Sequence, residues 1–186
     1  MKIRCETIDH VLHDLTTDRL TLRSWTVRDA DFVFDMYSRH EVRRYIGQGE
    51  VMQERDEAVK LLERWSDLQH PVHHIWAIER TDDEQLLGAL LLKSIPASGT
   101  GGVPSGETEI GWHLHPDAWG HGFASEAARR VLDHAWAAGL DRIVAVTNPA
   151  NAASMAVCRR IGMTHLGQSD AYYDTVCELF EVRRPA

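Results

Sequence analysis

Apolar and polar positions follow two periods along the chain. From Thr17 to Trp25, Leu20 and Leu22 fall on one side and Arg19, Thr21 and Arg23 on the other, the two-residue period of a strand. Asp29 stands where a helix N-cap is expected, and Phe32, Val33, Met36 and Tyr37 then recur at helical spacing. A second helix is predicted from about Gln53 to Leu68, with Val59, Leu62, Trp65 and Leu68 as its buried side. His70-Pro71 ends it, because proline disfavours helix at the residue before it.

Ile75 to Glu79 and Leu86 to Ile95 read as an antiparallel hairpin turned at Thr81-Asp82-Asp83-Glu84, with His73-His74 as polar residues at its start. Pro96 to Gly106 is rich in Gly, Ser and Pro and is predicted as a mobile loop; Glu109 to His115 is the next strand, closed by Pro116. Ser125 to Ala138 is strongly helical, with Ala127, Ala128, Val131, Leu132, Ala135 and Trp136 inward and Gly139 at its end. A strand from Arg142 to Thr147, a helix from about Ala152 to Ile161, and strands around Met163 to Leu166 and Val176 to Val182 complete the pattern. The fold class is mixed α/β.

Composition narrows the reading. With 186 residues, against about 150 per domain, a single domain is expected, and no internal repeat is evident. The longest apolar run, Leu86 to Leu92, is far below the roughly 18 residues of a membrane span. The first residues, Met1 to Glu6, lack an apolar core, so a cytoplasmic location is expected. Cys5, Cys158 and Cys177 show no CxxC spacing, and reduced thiols are expected. The net charge of -8 disfavours nucleic acid and tilts the partner toward amines, although solubility alone accounts for such a charge.

The chemistry concentrates between Glu109 and Ala127. A strand ends at Pro116, and a turn with Gly120, Gly122 and the small Ala124 opens the long helix, so unpaired N–H groups converge on one spot. Such a spot binds an anion, and small residues let a pyrophosphate approach the backbone. Taken alone, a Gly-x-Gly-x-Ala turn is also simply a tight strand-to-helix connection. No Gly-Lys-Ser or Gly-Lys-Thr is present, which excludes the phosphate loop of nucleotide hydrolases, and a turn after a hairpin is misplaced for a dinucleotide fold.

At Trp119-Gly120-His121-Gly122-Phe123-Ala124 the chain resembles the GNAT acyltransferases, whose signature is Gln/Arg-x-x-Gly-x-Gly/Ala. Trp119 replaces the usual Gln or Arg, as in the branch of ribosomal-protein N-terminal acetyltransferases. Glu109-Ile110-Gly111-Trp112, Thr17 to Arg23, Asn151-x-x-Ser154 and Arg160-Ile161-Gly162-Met163 agree with that branch, so the likeness spans Leu15 to Arg183. It implies a GNAT-like acyl-CoA N-acyltransferase fold, with a mostly antiparallel sheet splayed between strands 4 and 5 and flanked by helices.

The resemblance also implies a reaction: an amine attacks the thioester of acetyl-CoA directly, in a ternary complex. Backbone amides of Gly120, His121, Gly122, Phe123, Ala124 and Ser125, beside Trp119, would hold the pyrophosphate. Trp112 and Leu114 would pair with pantetheine, and the Leu114 amide would steady the oxyanion. Asn151, Ser154 and Cys158 join the cofactor set. Asn151 anchors pantetheine or caps its helix, and Ser154 assists the thiolate. Cys158 stands where the superfamily often has tyrosine, as a weak substitute or as an apolar filler.

Glu109 and His113 share a strand face, and either could take the proton of the ammonium; Glu109 ranks first and is otherwise a structural carboxylate. Tyr172-Tyr173-Asp174 are candidates for the acceptor pocket. Glu50, Glu54, Asp56 and Glu57 are a candidate acceptor patch or a solvated helix start. No metal is expected, because the histidines find no ligand set at recognised spacing. The acceptor is a peptide N-terminus, an amino sugar or a polyamine, and a homodimer stays open. The alternative is an inactive acyl-CoA-binding sensor or structural module.

One expectation is testable on the turn alone. Gly122→Val places a branched Cβ where the pyrophosphate approaches, so calorimetric titration with acetyl-CoA should show at least about tenfold weaker binding by a folded variant, the effect of one lost charge-assisted hydrogen bond. Binding as tight as wild type would place the anion site elsewhere.

Overall fold

The computed structural model describes residues 14–68 and 70–185. Its strands are β1 (Leu15–Thr16), β2 (Leu20–Ser24), β3 (His74–Arg80), β4 (Leu86–Pro96), β5 (Pro104–Leu114), β6 (Arg142–Thr147), β7 (Thr164–Ser169) and β8 (Cys177–Arg183). They form one sheet ordered β1-β2-β3-β4-β5-β6-β8-β7. Every neighbouring pair is antiparallel except β5 and β6, which are parallel and share the single register pair Glu109↔Val144. The expected architecture is therefore present. Counting the short β1, the strands that part are the fifth and sixth, not the fourth and fifth.

The helices cover both faces of the sheet. Leu20, Leu22, Leu90, Leu92, Ile110 and Leu114 project to one face and pack under Ala127, Ala128 and Val131 of α4 (Phe123–Ala137) and Val157 of α5 (Ala152–Arg160). Ala77, Ala89 and Leu91 project to the other, under Val33, Met36 and Tyr37 of α1 (Ala30–Ser38) and Leu62 of α3 (Arg55–Ser66). The alternation read along β2 and β4 is thus the division between two cores. A short α2 (His40–Arg43), absent from the sequence reading, follows α1.

Four expectations need correction. The helix expected over Gln53–Leu68 is shorter, because Glu57 Oε1 accepts the N–H groups of Gln53 (2.8 Å) and Glu54 (3.0 Å) and fixes its start. Its fully buried positions are Ala58 and Leu62, while Val59, Trp65 and Leu68 are half-buried. Asp29 does precede α1, yet its carboxylate turns back to the Thr26 N–H (2.8 Å) and Arg23 (2.9 Å) and does not cap the helix. Burial raises the Asp29 pKa, but Arg23 and Thr26 outweigh it and hold the carboxyl below the usual range.

The stretch expected as a mobile loop over Pro96–Gly106 is the tip of a hairpin whose two arms are paired. β4 and β5 continue to the pair Pro96↔Pro104, and the tip between them is tied to residues 171–174. Ala97 bridges Tyr172, Ser98 N–H donates to the Ala171 carbonyl (2.8 Å), and Asp174 N–H donates to Ser98 Oγ (3.0 Å). Its Gly and Ser content marks turn geometry at the tip.

Cys158 and Cys177 are buried and unpaired, whereas Cys5 and the first residues lie outside the described residues. Among the described residues no helix is long and apolar enough to cross a membrane. His73 and His74 are both buried, and His73 Nε2 meets Thr108 Oγ1 of β5 at 2.9 Å. Burial, then the charge of His70, pushes the His73 pKa down to about 4.

Two consequences can be measured. Gly88 of β4 faces Leu114 so closely that an added Cβ would lie 2.2 Å from the His113 carbonyl and 2.7 Å from Leu114 Cα. Gly88→Ala should cost about 3 kcal/mol in denaturant unfolding, since the clash is with backbone. The unfolded chain protonates His73 near pH 6.5 and the folded chain only near 4, so the stability it contributes is complete above pH 6.5 and is lost as pH falls through 4. The pH slope of unfolding in that window should shrink by nearly one proton in His73→Gln.

Candidate active site

β5 and β6 run side by side at Glu109 and Val144 and then part. His115 N–H donates to the Leu87 carbonyl of β4 (2.9 Å), so by ladder alternation the backbone groups of Trp112 and Leu114 face the other way, toward β6. No register pair meets them there. Gly111 and Trp112 are only partly buried although β5 is an inner strand, a sign of the gap. The Leu114 carbonyl accepts the indole N–H of Trp119 (3.0 Å), and its N–H points into the opening.

The glycine turn closes the wide end. Pro116 to Ala118 make one helical turn, and Gly120 and Gly122 both take φ +81°, a conformation glycine adopts without penalty. The N–H groups from Gly120 to Ser125 donate to no acceptor among the described residues, so they are presented together at the start of α4. An added Cβ at Gly120 would meet nothing within 4 Å, and one at Gly122 only Arg19 Nη2 at 3.8 Å. The space in front of the turn is open to a ligand. Ser125 Oγ, buried beside it, has no hydrogen-bond partner among the described residues.

Sequence reasoning overlooked what fixes this turn. Glu126 receives Thr17 Oγ1 (2.5 Å), the Arg19 N–H (3.2 Å) and Arg19 Nε (2.8 Å), while Arg19 Nη2 reaches the His121 carbonyl (3.2 Å). The Arg19 guanidinium also stacks over Phe123, 4.7 Å from its centroid. Burial raises the Glu126 pKa, but these bonds outweigh it and keep the carboxyl below its usual range. Both Thr17-Asp18-Arg19 and the turn were recognised as motifs. Their contact was not visible, because it joins residues more than a hundred positions apart.

The other expected residues divide by face. Trp112 and Leu114 pack toward α4. Glu109 and His113 project to the opposite face. Glu109 Oε2 receives the Tyr173 hydroxyl and Lys93 Nζ (3.2 Å), leaving Oε1 outside these contacts. Lys93 also donates to Tyr173 (2.6 Å), and Tyr173 and Asp174 hold positive φ of 60° and 54°, strain concentrated beside the gap. His113 Nδ1 lies 2.8 Å from the buried Tyr37 hydroxyl. Burial first, then the charges of Arg43 and Lys93, push His113 down to about 4, so its ring is neutral near pH 7. Burial raises the Tyr37 phenol above its ordinary value, so it also stays neutral.

Asn151 caps α5, its Oδ1 accepting the Ser154 N–H (3.1 Å), and the half-buried Ser154 hydroxyl makes no hydrogen bond among the described residues. Cys158 corrects the expected cofactor set. It is fully buried, and burial pushes its thiol up to about 12, so it offers a ligand neither surface nor thiolate and acts as a core filler. Phe123 is likewise buried and can offer only its backbone. Tyr172 reaches Glu107 and Tyr173 reaches Glu109. Glu57 is engaged in capping α3, while Glu50, Glu54 and Asp56 are exposed.

A family model described as the acetyltransferase (GNAT) domain matches residues 19–164. The uncharacterized N-acetyltransferase YoaA of Bacillus subtilis is 33% identical over 170 residues, covering 87% of this chain and 92% of that protein. An acetyltransferase of the GNAT family from Bacillus anthracis superposes with a TM-score of 0.76 at 20% identity, over 92% of this chain and 98% of its own. The ribosomal-protein alpha-N-acetyltransferase RimL, solved in complex with coenzyme A, gives 0.75 at 17% identity over 92% and 98%. A parted β5–β6 pair, an open glycine turn at a helix start and a family match across both have one reading: the chain belongs to the GNAT acetyltransferase family.

Proposed function

We propose that the protein transfers acetyl from acetyl-CoA to a primary amine by direct attack in a ternary complex. The observation that carries this reading is the row of unengaged N–H groups from Gly120 to Ser125 at the wide end of the β5–β6 gap. A pyrophosphate there would be met by several donors at a helix start, with the Arg19 guanidinium nearby. The coenzyme A bound by the RimL neighbour supports this choice of donor.

The remaining steps follow from the two faces of β5. Pantetheine lies along the β6-facing edge and pairs with Trp112 and Leu114 as an added strand would. The Leu114 N–H then meets the thioester carbonyl, and one such donor to the oxyanion contributes about 3 kcal/mol. The amine approaches from the α1–α3 face, where Glu109 Oε1 takes its proton, with His113 second in rank for that role. Ser154 faces the departing thiolate, which needs little acid assistance. Donor and acceptor thus meet across a strand whose neighbouring residues point opposite ways.

The chain incubated with acetyl-CoA and a panel of peptides and small amines should release thiol only when both substrates are present. No acetyl-enzyme should accumulate in its absence of acceptor. Glu109→Gln keeps a group able to bond Tyr173 and should lower kcat about a hundredfold or more while leaving acetyl-CoA binding unchanged. Tight acetyl-CoA binding without turnover across the panel would favour an acyl-CoA sensor instead.

A further inference from the structure

A cavity of about 590 Å³ opens beside α3 and the segment that precedes it, a volume suited to a small molecule. Val51, Met52 and Leu61 give it an apolar wall, and Arg43 and Arg64 give it two cations. The segment is tied back to α1, with Met52 N–H donating to the Tyr37 carbonyl (3.0 Å) and Arg43 Nε to the Glu50 carbonyl. The wall is therefore formed in advance of any ligand.

The two guanidinium groups are under-used. Among the described residues Arg64 makes no ion pair or hydrogen bond, and Arg43 makes only its Nε bond and a stacking contact 5.7 Å from the Tyr37 ring centroid. Two carboxylates also line the space. Glu57 accepts the Gln53 and Glu54 N–H groups at the α3 N-terminus, and these bonds, with smaller contributions from the charges of Lys60 and Arg43, hold it below the usual carboxylate range. Glu50 is exposed and makes its contact with Arg43 through its backbone. Among the described residues neither carboxylate makes a salt bridge with Arg43 or Arg64, so the two cations and two carboxylates of the lining balance in charge while both guanidinium groups keep N–H donors able to meet an anion.

The cavity also adjoins the acceptor side of the gap. Arg43 stacks on Tyr37, and the Tyr37 hydroxyl touches His113, so one aromatic ring separates an anion subsite from the strand face that the amine must reach. We propose that the acceptor is a small primary amine that also carries a carboxylate or a phosphate, with Arg43 and Arg64 holding that anion and the apolar wall taking the rest of the molecule. The assignment rests on the acetyl-transfer reading and names its substrate class. It disfavours polyamines, which carry no anion for the two guanidinium groups.

The test uses matched pairs with the full chain: leucine against leucinamide, and O-phosphoethanolamine against ethanolamine. Acetyl-CoA titration by calorimetry is run first, and binding of N-acetylleucine against N-acetylleucinamide is measured with coenzyme A present. The proposal expects at least about tenfold higher kcat/KM, or tighter product binding, for the anionic member of one pair, the effect of one charge-assisted hydrogen bond. The pair that shows it identifies carboxylate or phosphate. Arg64→Gln, an exposed position, should erase that preference through KM and leave the KM for acetyl-CoA unchanged. Equal use or equal binding of the members in both pairs, a preference for spermidine, or an unchanged preference in Arg64→Gln would overturn it. Failure to bind acetyl-CoA sinks the acetyl-transfer reading alone, since the product pair still reports on the cavity.

Discussion

The parting of β5 from β6 is the constraint on which the rest of the structure depends. A backbone edge inside a sheet normally has its hydrogen bonds satisfied by the neighbouring strand. Here β5 keeps its β4 partner to the end, Gly88 packing against Leu114, and leaves β6 after one register pair. What remains is an inner strand with one edge committed and the other available. The two cores make that arrangement stable, because α4 and α5 cover one face and α1 and α3 the other, so most apolar side chains beneath the open edge stay buried and Trp112 is exposed only in part.

The elements with strong periodicity were legible in the sequence. β2, β3, β4, α4 and β6 come close to their expected bounds, because their apolar positions face the two cores. The glycine turn was legible through its residues, since few others accept φ near +80° before a helix. What the sequence concealed were contacts between distant segments. The Pro96–Gly106 stretch reads as a loop by composition, yet its partners at residues 171–174 make it an ordered hairpin tip. Cys158 reads more readily as filler than as ligand, and packing places it in the core. Tyr37 reads as one more apolar position of α1, and only the fold brings its hydroxyl to His113.

Charge shows the same separation of scales. The overall balance is acidic, and by itself it points to cationic partners. At short range the acidic groups are largely committed: Asp29 to Arg23, Glu126 to Arg19, Glu57 to a helix start and Glu109 to Lys93. Beside α3, Arg43 and Arg64 keep guanidinium N–H groups that no carboxylate among the described residues engages in a salt bridge. A count of charges describes the field far from the surface, where solvent and salt screen it. Recognition depends on which groups still lack a partner.

The contact between Arg19 and Glu126 has a consequence for how the chain assembles. It closes a loop of 107 residues, and two strands, β3 and β4, lie between β2 and β5 in the sheet that holds its ends together. Closure over that length carries an entropic cost that only the intervening sheet can offset. The first strands, at the far edge of the sheet, therefore do more than extend it. A chain emerging from synthesis presents them early, so the glycine turn depends for its shape on residues made more than a hundred positions before it.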